Sequence, residues 1–231
     1  MPKLTKAPLD PRKSPVQARS AASVEAILEA TAQVLLSVGK ERLTTTLVAS
    51  RAGVSVGTLY QYFPNKSALL QAALRRHLET VTTAVEQTCL AQHGNSLEEM
   101  ATAVITAFLN AKMRNGKASV AFYSVSSDVD GAKISQQTAV RTNRAIVAML
   151  ESAANDTIAD AQLAATMLTG VMVGVSRRLL ESSAPEKNFE VIKQELIFLA
   201  CAYLEASSSR QPAKLLSSPT LPRTHAHSRT A

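Results

Sequence analysis

The chain has 231 residues, enough for one large domain or two unequal ones. Apolar residues make up 46% and charged ones 19%, which favours a buried core over disorder; the absence of Trp, 4% aromatic content and only 8 Gly favour helices over a sheet sandwich. Two cysteines, Cys89 and Cys201, exclude a disulfide framework, no signal-peptide core opens the chain, and the longest uncharged apolar stretch, Ala161–Ser176, is short for a membrane span. A cytoplasmic protein without a membrane partner is the expectation.

The net charge of +7 is unevenly spread. Residues 1–78 carry 11 Lys/Arg against 4 Asp/Glu, residues 79–206 carry 10 against 14, and residues 207–231 carry 4 and no acid. A basic first third on an acidic body suits a polyanionic partner at one end, although a solvated basic surface gives the same tally.

Residues 1–14 hold three Pro and four Lys/Arg without an apolar period and read as a flexible basic arm. From about Ser20 a helical period runs through Val24, Ile27, Leu28, Val34 and Leu35, and Gly39 closes it. Two short helical segments follow, Thr45–Ala52 and Val56–Phe63, separated by Gly53-Val54-Ser55. Asn65 is a candidate N-cap for a long amphipathic helix with Leu69, Leu70, Ala73, Leu74, Val81 and Val85 on its apolar face. Ser96-Leu97-Glu98-Glu99 has capping-box spacing and starts a helix to about Ala111. Further helices are expected over Ser119–Val125, Ile134–Ala153, Thr157–Glu181 and Phe189–Ala206, with Pro185 in the last break. Residues 207–231, rich in Ser, Pro and Arg, read as a disordered basic tail. The chain is thus expected to be all-α, with about nine helices. Its parts would be the arm (1–14), a three-helix domain (15–66), a larger helical body (67–206) and the tail (207–231).

The informative stretch is Thr44–Phe63, TTTLVASRAGVSVGTLYQYF. Two short helices joined by a three-residue turn cross steeply only where their contact is lean, and Ala49 is small at that contact. Gly53 suits the left-handed turn position, Val48, Ala52, Val54 and Leu59 supply a small core, and Ser55 caps the second helix. With Leu59 facing inward, steps of about 100° put Gly57 and Gln61 on the outer face and Thr58 and Tyr60 on its flanks. Gly57 permits close approach, Thr58 and Gln61 suit base edges in a major groove, and the Tyr60 and Tyr62 hydroxyls suit phosphates. Lys66, in the first turn of the next helix, adds a cation to backbone N–H groups. The same pattern allows Tyr60, Tyr62 and Phe63 simply to pack the small domain.

These residues resemble the TetR family of bacterial transcription regulators. The resemblance runs from Arg19 through Ile27-Leu28-Glu29-Ala30, Gly39, Leu43-Thr44-Thr45, Ala49, Ala52-Gly53-Val54, Gly57–Phe63 and Asn65–Leu70. It implies a helix-turn-helix DNA-binding domain and a helical body that dimerises and binds a small-molecule effector. DNA contacts are implied from Arg19, Thr45, Thr46, Val56, Gly57, Thr58, Tyr60, Gln61, Tyr62 and Lys66. Ser67 departs from the family, in which an acid is common at that position.

Within the body, Leu163, Met167, Val171 and Leu179, with Ile197 and Leu204 on the last helix, are candidates for a homodimer interface; packing within one chain explains such stripes equally. A dimer would read a palindromic operator in double-stranded DNA, one half-site per subunit. Phe108, Met113, Phe122, Tyr123, Met149 and Met172 are candidates to line a cavity for a hydrophobic or amphipathic effector, each being also an ordinary core residue. The resulting expectation is a repressor released by its effector, with a ligand-independent DNA-binding protein or an activator as the alternative. No Gly-rich phosphate loop, nucleophile elbow or metal-spaced cluster is present, so neither enzyme activity nor a cofactor or metal is expected. His77 and His93 read as solvated or helix-end residues, His225 and His227 as a weak metal fragment, and Cys89 and Cys201 as buried packing residues.

Overall fold

The computed structural model describes residues 18–154 and 157–208. The expected arm, residues 209–231 of the expected tail with His225 and His227, and the side chain of Arg19 lie outside the described residues, while Ser207 and Ser208, expected in the tail, complete the last helix. Nine helices and no strand occur among the described residues: α1 (Ala18–Arg42), α2 (Thr45–Ala52), α3 (Val56–Tyr62), α4 (Lys66–Ala91), α5 (Leu97–Arg114), α6 (Gly116–Ser126), α7 (Gly131–Glu151), α8 (Ala161–Glu181) and α9 (Pro185–Ser208).

The boundaries follow from local chemistry. Gly39 interrupts α1 with φ 75 and ψ 172, and Asn65 accepts from the Ala68 amide at 2.8 Å to start α4. Ser96 and Glu99 exchange both bonds of a capping box at the start of α5, a device worth about 0.5–2 kcal/mol for the cap alone. α6 begins three residues before the expected Ser119, because Asn115 and Gly116 turn directly into it rather than forming a longer break. α9 begins on Pro185 itself: a first-turn residue needs no amide donor, so proline starts the helix instead of spacing it off. α8 starts later than expected, at Ala161, capped by the Asp160 carboxylate on the Leu163 amide at 2.8 Å. Gly131 opens α7 hard against Ser126, where any side chain would collide with the Ser126 backbone and hydroxyl.

Two apolar cores form. The first joins α1, α2, α3 and the start of α4 (Ile27, Leu35, Val48, Leu59, Leu69, Leu74) to Phe122 and Val125 of α6 and to Val129 and Ile134 beyond it. The second lies among the rest of α4 and α5, α7, α8 and α9, around Val85, Met100, Ile105, Leu109, Ile146, Met149, Met172 and Leu204. α4 runs through both, and α6 leans on the first.

Polar clamps hold the two together. Lys40, past the α1 break, pairs with Asp128 at 2.7 Å and donates to the Ser124 carbonyl at 3.3 Å, while Lys66 donates to the Lys40 carbonyl at 2.8 Å. Gln71 donates to the Val129 carbonyl, and Arg141 of α7 clasps Glu79 and Glu86 of α4 at 2.7 and 2.6 Å. By length and composition Ser20–Arg42 and Ala161–Glu181 are apolar enough to cross a membrane, contrary to the short span expected for the latter. Each instead lays one face into a protein core and leaves charged residues at its end.

Candidate nucleic-acid interface

The α2–α3 pair is built as its sequence requires. Thr44 caps α2 by accepting from the Leu47 amide at 3.2 Å, and Gly53 closes it in the left-handed region (φ 69, ψ 28). The Val54 amide then donates to the Ala49 carbonyl at 3.0 Å, which turns the chain toward α3. Ser55 caps α3 through the Thr58 amide at 2.9 Å, and its hydroxyl also lies 2.8 Å from the Thr58 hydroxyl. Val48, Ala49, Leu59 and Phe63 are fully buried, each 2% exposed or less, so the pair is anchored from inside.

The outward surface matches the expected face. Gly57, Tyr60 and Gln61 are exposed, and a Cβ on Gly57 would meet only the Ser55 hydroxyl at 3.7 Å. The space in front of Gly57 is therefore open; nothing inside the fold demands a glycine there. Tyr60 is 41% exposed, and its hydroxyl lies 3.1 Å from that of Thr45, which fixes its ring across the start of α2. Thr46 is exposed beside it, while Val56 and Thr58 are half-buried. Tyr62 rests partly against the first core, and Phe63 is wholly within it. Lys66 departs from the expected picture, because its ammonium bonds the Lys40 carbonyl and is half-buried.

Charge supports this face in a way the motif alone does not. From Arg42 to Leu78 the chain carries Arg42, Arg51, Lys66, Arg75 and Arg76 and not one acid. Within that run no carboxylate opposes an approaching anion, the flanking acids being Glu41 and Glu79. Arg42 and Arg51 are exposed there and belong among the candidate phosphate contacts; the acid-free run was the signal for them.

The body reorders the other expectations. Leu163 and Met167 are 41% and 48% exposed, and Val171 and Ile197 half-buried, but Leu179 and Leu204 are 4% and 0% exposed inside their own subunit. Those two have no surface left for a partner. Val173, Val191, Phe198 and Leu199 are the exposed apolar residues of α8 and α9 that the stripe reading missed.

The six cavity candidates do not surround one space. Met149 and Met172 line a void of only about 10 Å³, too small for any effector. Met113 faces an open groove beside α1 and α9. Phe122 belongs to the first core, stacked against His77 with ring centroids 5.1 Å apart. Phe108 and Tyr123 both lie near the Lys112 ammonium, 5.9 and 5.7 Å from ring centroid to Nζ.

His77 is not a solvated surface residue. Its Nε2 lies 2.9 Å from the Ser119 hydroxyl, and burial, with the Lys112 charge second, brings its pKa down to about 4. Cys89 is buried as expected, its thiol pushed up to about 12 by loss of water, so it is no nucleophile. Among the described residues no group of three His, Cys, Asp or Glu is placed to hold a metal.

Comparison with known proteins agrees with the geometry. Residues 27–73 match the family described as bacterial regulatory proteins, tetR family, and residues 96–204 match the tetracyclin repressor-like C-terminal domain. The chain therefore belongs to the TetR family of DNA-binding transcription regulators. It is similar to the HTH-type transcriptional repressor KstR of Mycolicibacterium smegmatis (43% identity over 65 residues, 28% of this chain and 32% of that one). It is also similar to the nucleoid occlusion factor SlmA of Haemophilus ducreyi (44% over 45 residues, 20% of this chain and 22% of that one). These alignments span no more than about a third of the curated relatives' length.

The fold is shared with a transcriptional regulator from Rhodococcus sp. Rha1 (TM-score 0.65, 21% identity, 81% of this chain and 99% of that one). It is likewise shared with the fatty acid degradation regulator FadR from Bacillus halodurans (TM-score 0.58, 17% identity, 76% and 94%). KstR is named a transcriptional repressor, and the Rhodococcus and Bacillus proteins are named regulators.

Proposed function

We propose that the protein is a cytoplasmic repressor that binds a palindromic operator as a homodimer and releases it when the α4–α9 body takes up a small molecule. The observation that carries this reading is the outward face of α3. Gly57, Tyr60 and Gln61 stand clear of the fold above a fully buried Leu59, on a segment without acids. Gln61 supplies base-edge hydrogen bonds, Thr45, Thr46, Val56, Thr58 and Tyr62 the surrounding contacts, and Tyr60, Arg42 and Arg51 the phosphate contacts. Lys66 reaches phosphate only by leaving the Lys40 carbonyl, so its first role is to brace α4 against α1.

Dimerisation is assigned to the exposed apolar face of α8 and α9: Leu163, Met167, Val173, Val191, Phe198 and Leu199. Gly170 and Gly174 lie on it with open space in front of each, which lets a partner helix approach closely. Repression is supported by the likeness to KstR, named a transcriptional repressor.

A gel shift with the DNA upstream of the protein's own gene, followed by footprinting and sedimentation, tests the reading. A dimer protecting two half-sites about 34–36 Å apart, or a multiple of that, is the expected result. A monomer, or binding without sequence preference, refutes it. The small void inside the body, about 10 Å³, keeps one second reading, DNA binding without an effector. Failure of any small molecule to release the operator would favour it.

A further inference from the structure

We propose that the body carries an anion site built on Lys112, and that its effector is an amphipathic monocarboxylate. The proposal rests on the reading that this body binds a small molecule, and it names the chemistry of that molecule.

Lys112 lies near the end of α5 and is 7% exposed. Among the described residues Lys40, Arg76, Arg141, Arg177 and Lys193 each reach a carboxylate. Lys112, more buried than any of them, reaches neither a carboxylate nor a hydrogen-bond acceptor. Its Nζ is flanked only by two rings, Phe108 at 5.9 Å and Tyr123 at 5.7 Å. Ring faces attract a cation but accept none of its three hydrogen bonds in the manner of an oxygen. An ammonium largely withdrawn from water without a counter-charge is unfavourable, and an anion in hydrogen-bond contact relieves that.

The neighbours set the class of anion. Arg177 lies 5.1 Å from the Tyr123 ring, but Glu181 already holds it at 2.9 Å. His77, whose ring feels the Lys112 charge, is neutral near pH 7 and bonded to Ser119. One uncompensated positive charge therefore remains, which matches a monoanion better than a phosphate dianion. The walls are aromatic, and Ile105 and Leu109 on the same helix belong to the second core, so the rest of the ligand is apolar. Phe108 shares the second core with Met149 and Met172, whose flexible side chains must move to admit a tail. Tyr123 then provides the link outward: it sits on α6 beside Phe122, which packs in the DNA-binding core.

The full chain, without DNA, is titrated with octanoate and phenylacetate and with octanamide and phenylacetamide, following Tm and calorimetric affinity. At least one carboxylate should raise Tm and bind once per chain, its amide binding about tenfold more weakly or not at all. Lys112→Met and Lys112→Gln should lose the response, Lys112→Arg should keep it, and Lys133→Met, on the exposed side of α7, should respond as the unsubstituted chain does. Equal responses to acid and amide, a response retained in Lys112→Met or Lys112→Gln, or none to either carboxylate at millimolar concentration overturns the proposal. The acid–amide contrast stands even if the uncharged variants do not fold. A chain that binds its operator but ignores carboxylates refutes the anion site alone; one that binds carboxylate through Lys112 but no duplex refutes the regulator reading alone.

Discussion

The first core and the second are both helical and both closed, yet they carry function in opposite ways. Around Leu59 the interior is generic and the working groups stand outside it, on a face whose neighbours are fixed by caps and one left-handed glycine. In the body the outside carries exposed apolar residues on α8 and α9, and the unusual group, Lys112, is inside. A surface that meets a regular duplex is held to a few residue types at fixed offsets. An interior that meets one small molecule is free to use any side chains that leave the right hole and charge.

The sharpest way to break this comparison is to damage the first core alone. Leu59→Ala should cost about 2–5 kcal/mol in urea denaturation and abolish operator binding, whereas Val140→Ala, on the exposed side of α7 and outside the proposed dimer face, should cost less than about 0.5 kcal/mol and leave binding intact. Equal losses would mean that Leu59 anchors the first core no better than a surface residue does.

His77 tests the boundary between the two cores. Its folded pKa is about 4 against 6.5 unperturbed, so between those values the unfolded chain takes a proton that the folded one refuses. Stability from this site is full above about pH 6.5 and falls by up to about 3 kcal/mol as the pH drops toward 4. Urea midpoints for His77→Gln should lack that slope; an unchanged slope would place the titration elsewhere.

On the DNA face, Gln61→Ala should relax preference at one base pair by about 1–3 kcal/mol, read from a panel of mutated operators. Tyr60→Phe should weaken all sequences alike, and Gly57→Val should keep its Tm while losing the operator, because only open space fronts Gly57. A Gly57→Val chain that still bound would remove α3 from the groove. The smallest effect belongs to Glu86→Gln: the Arg141 clasp is exposed, so at most about 1 kcal/mol should be lost, and less at high salt.

What could be read from the sequence follows the same division. Gly53, Ser55, Asn65 and Ser96 act within a few residues of themselves, so the helix ends and the order of α1 to α5 were visible in the chain. Membership of a core depends on distant partners. Phe122 looked like a cavity residue and belongs to the DNA-binding core, because α6 folds back onto α1 and α4. Leu179 stands about 160° around α8 from Leu163, and Leu204 lies on another helix, so neither shares a face with Leu163 and Met167, and both turn into their own chain. Lys112 was passed over: a lysine among apolar residues near a helix end reads as a snorkelling surface residue, Phe108 one turn back is ordinary helix spacing, and only the fold adds the Tyr123 ring from α6.

The placement of Phe122 and Val125 bears on how this molecule is handled at the bench. A fragment cut after α4 would keep every residue of the helix-turn-helix and still lack part of its floor, uncovering the side of α4 around Gln71 and His77 where Val129, Phe122 and Ser119 lie. Attempts to produce the reading head by itself should yield a loose, aggregation-prone peptide, and grafting it onto another body would require carrying α6 along.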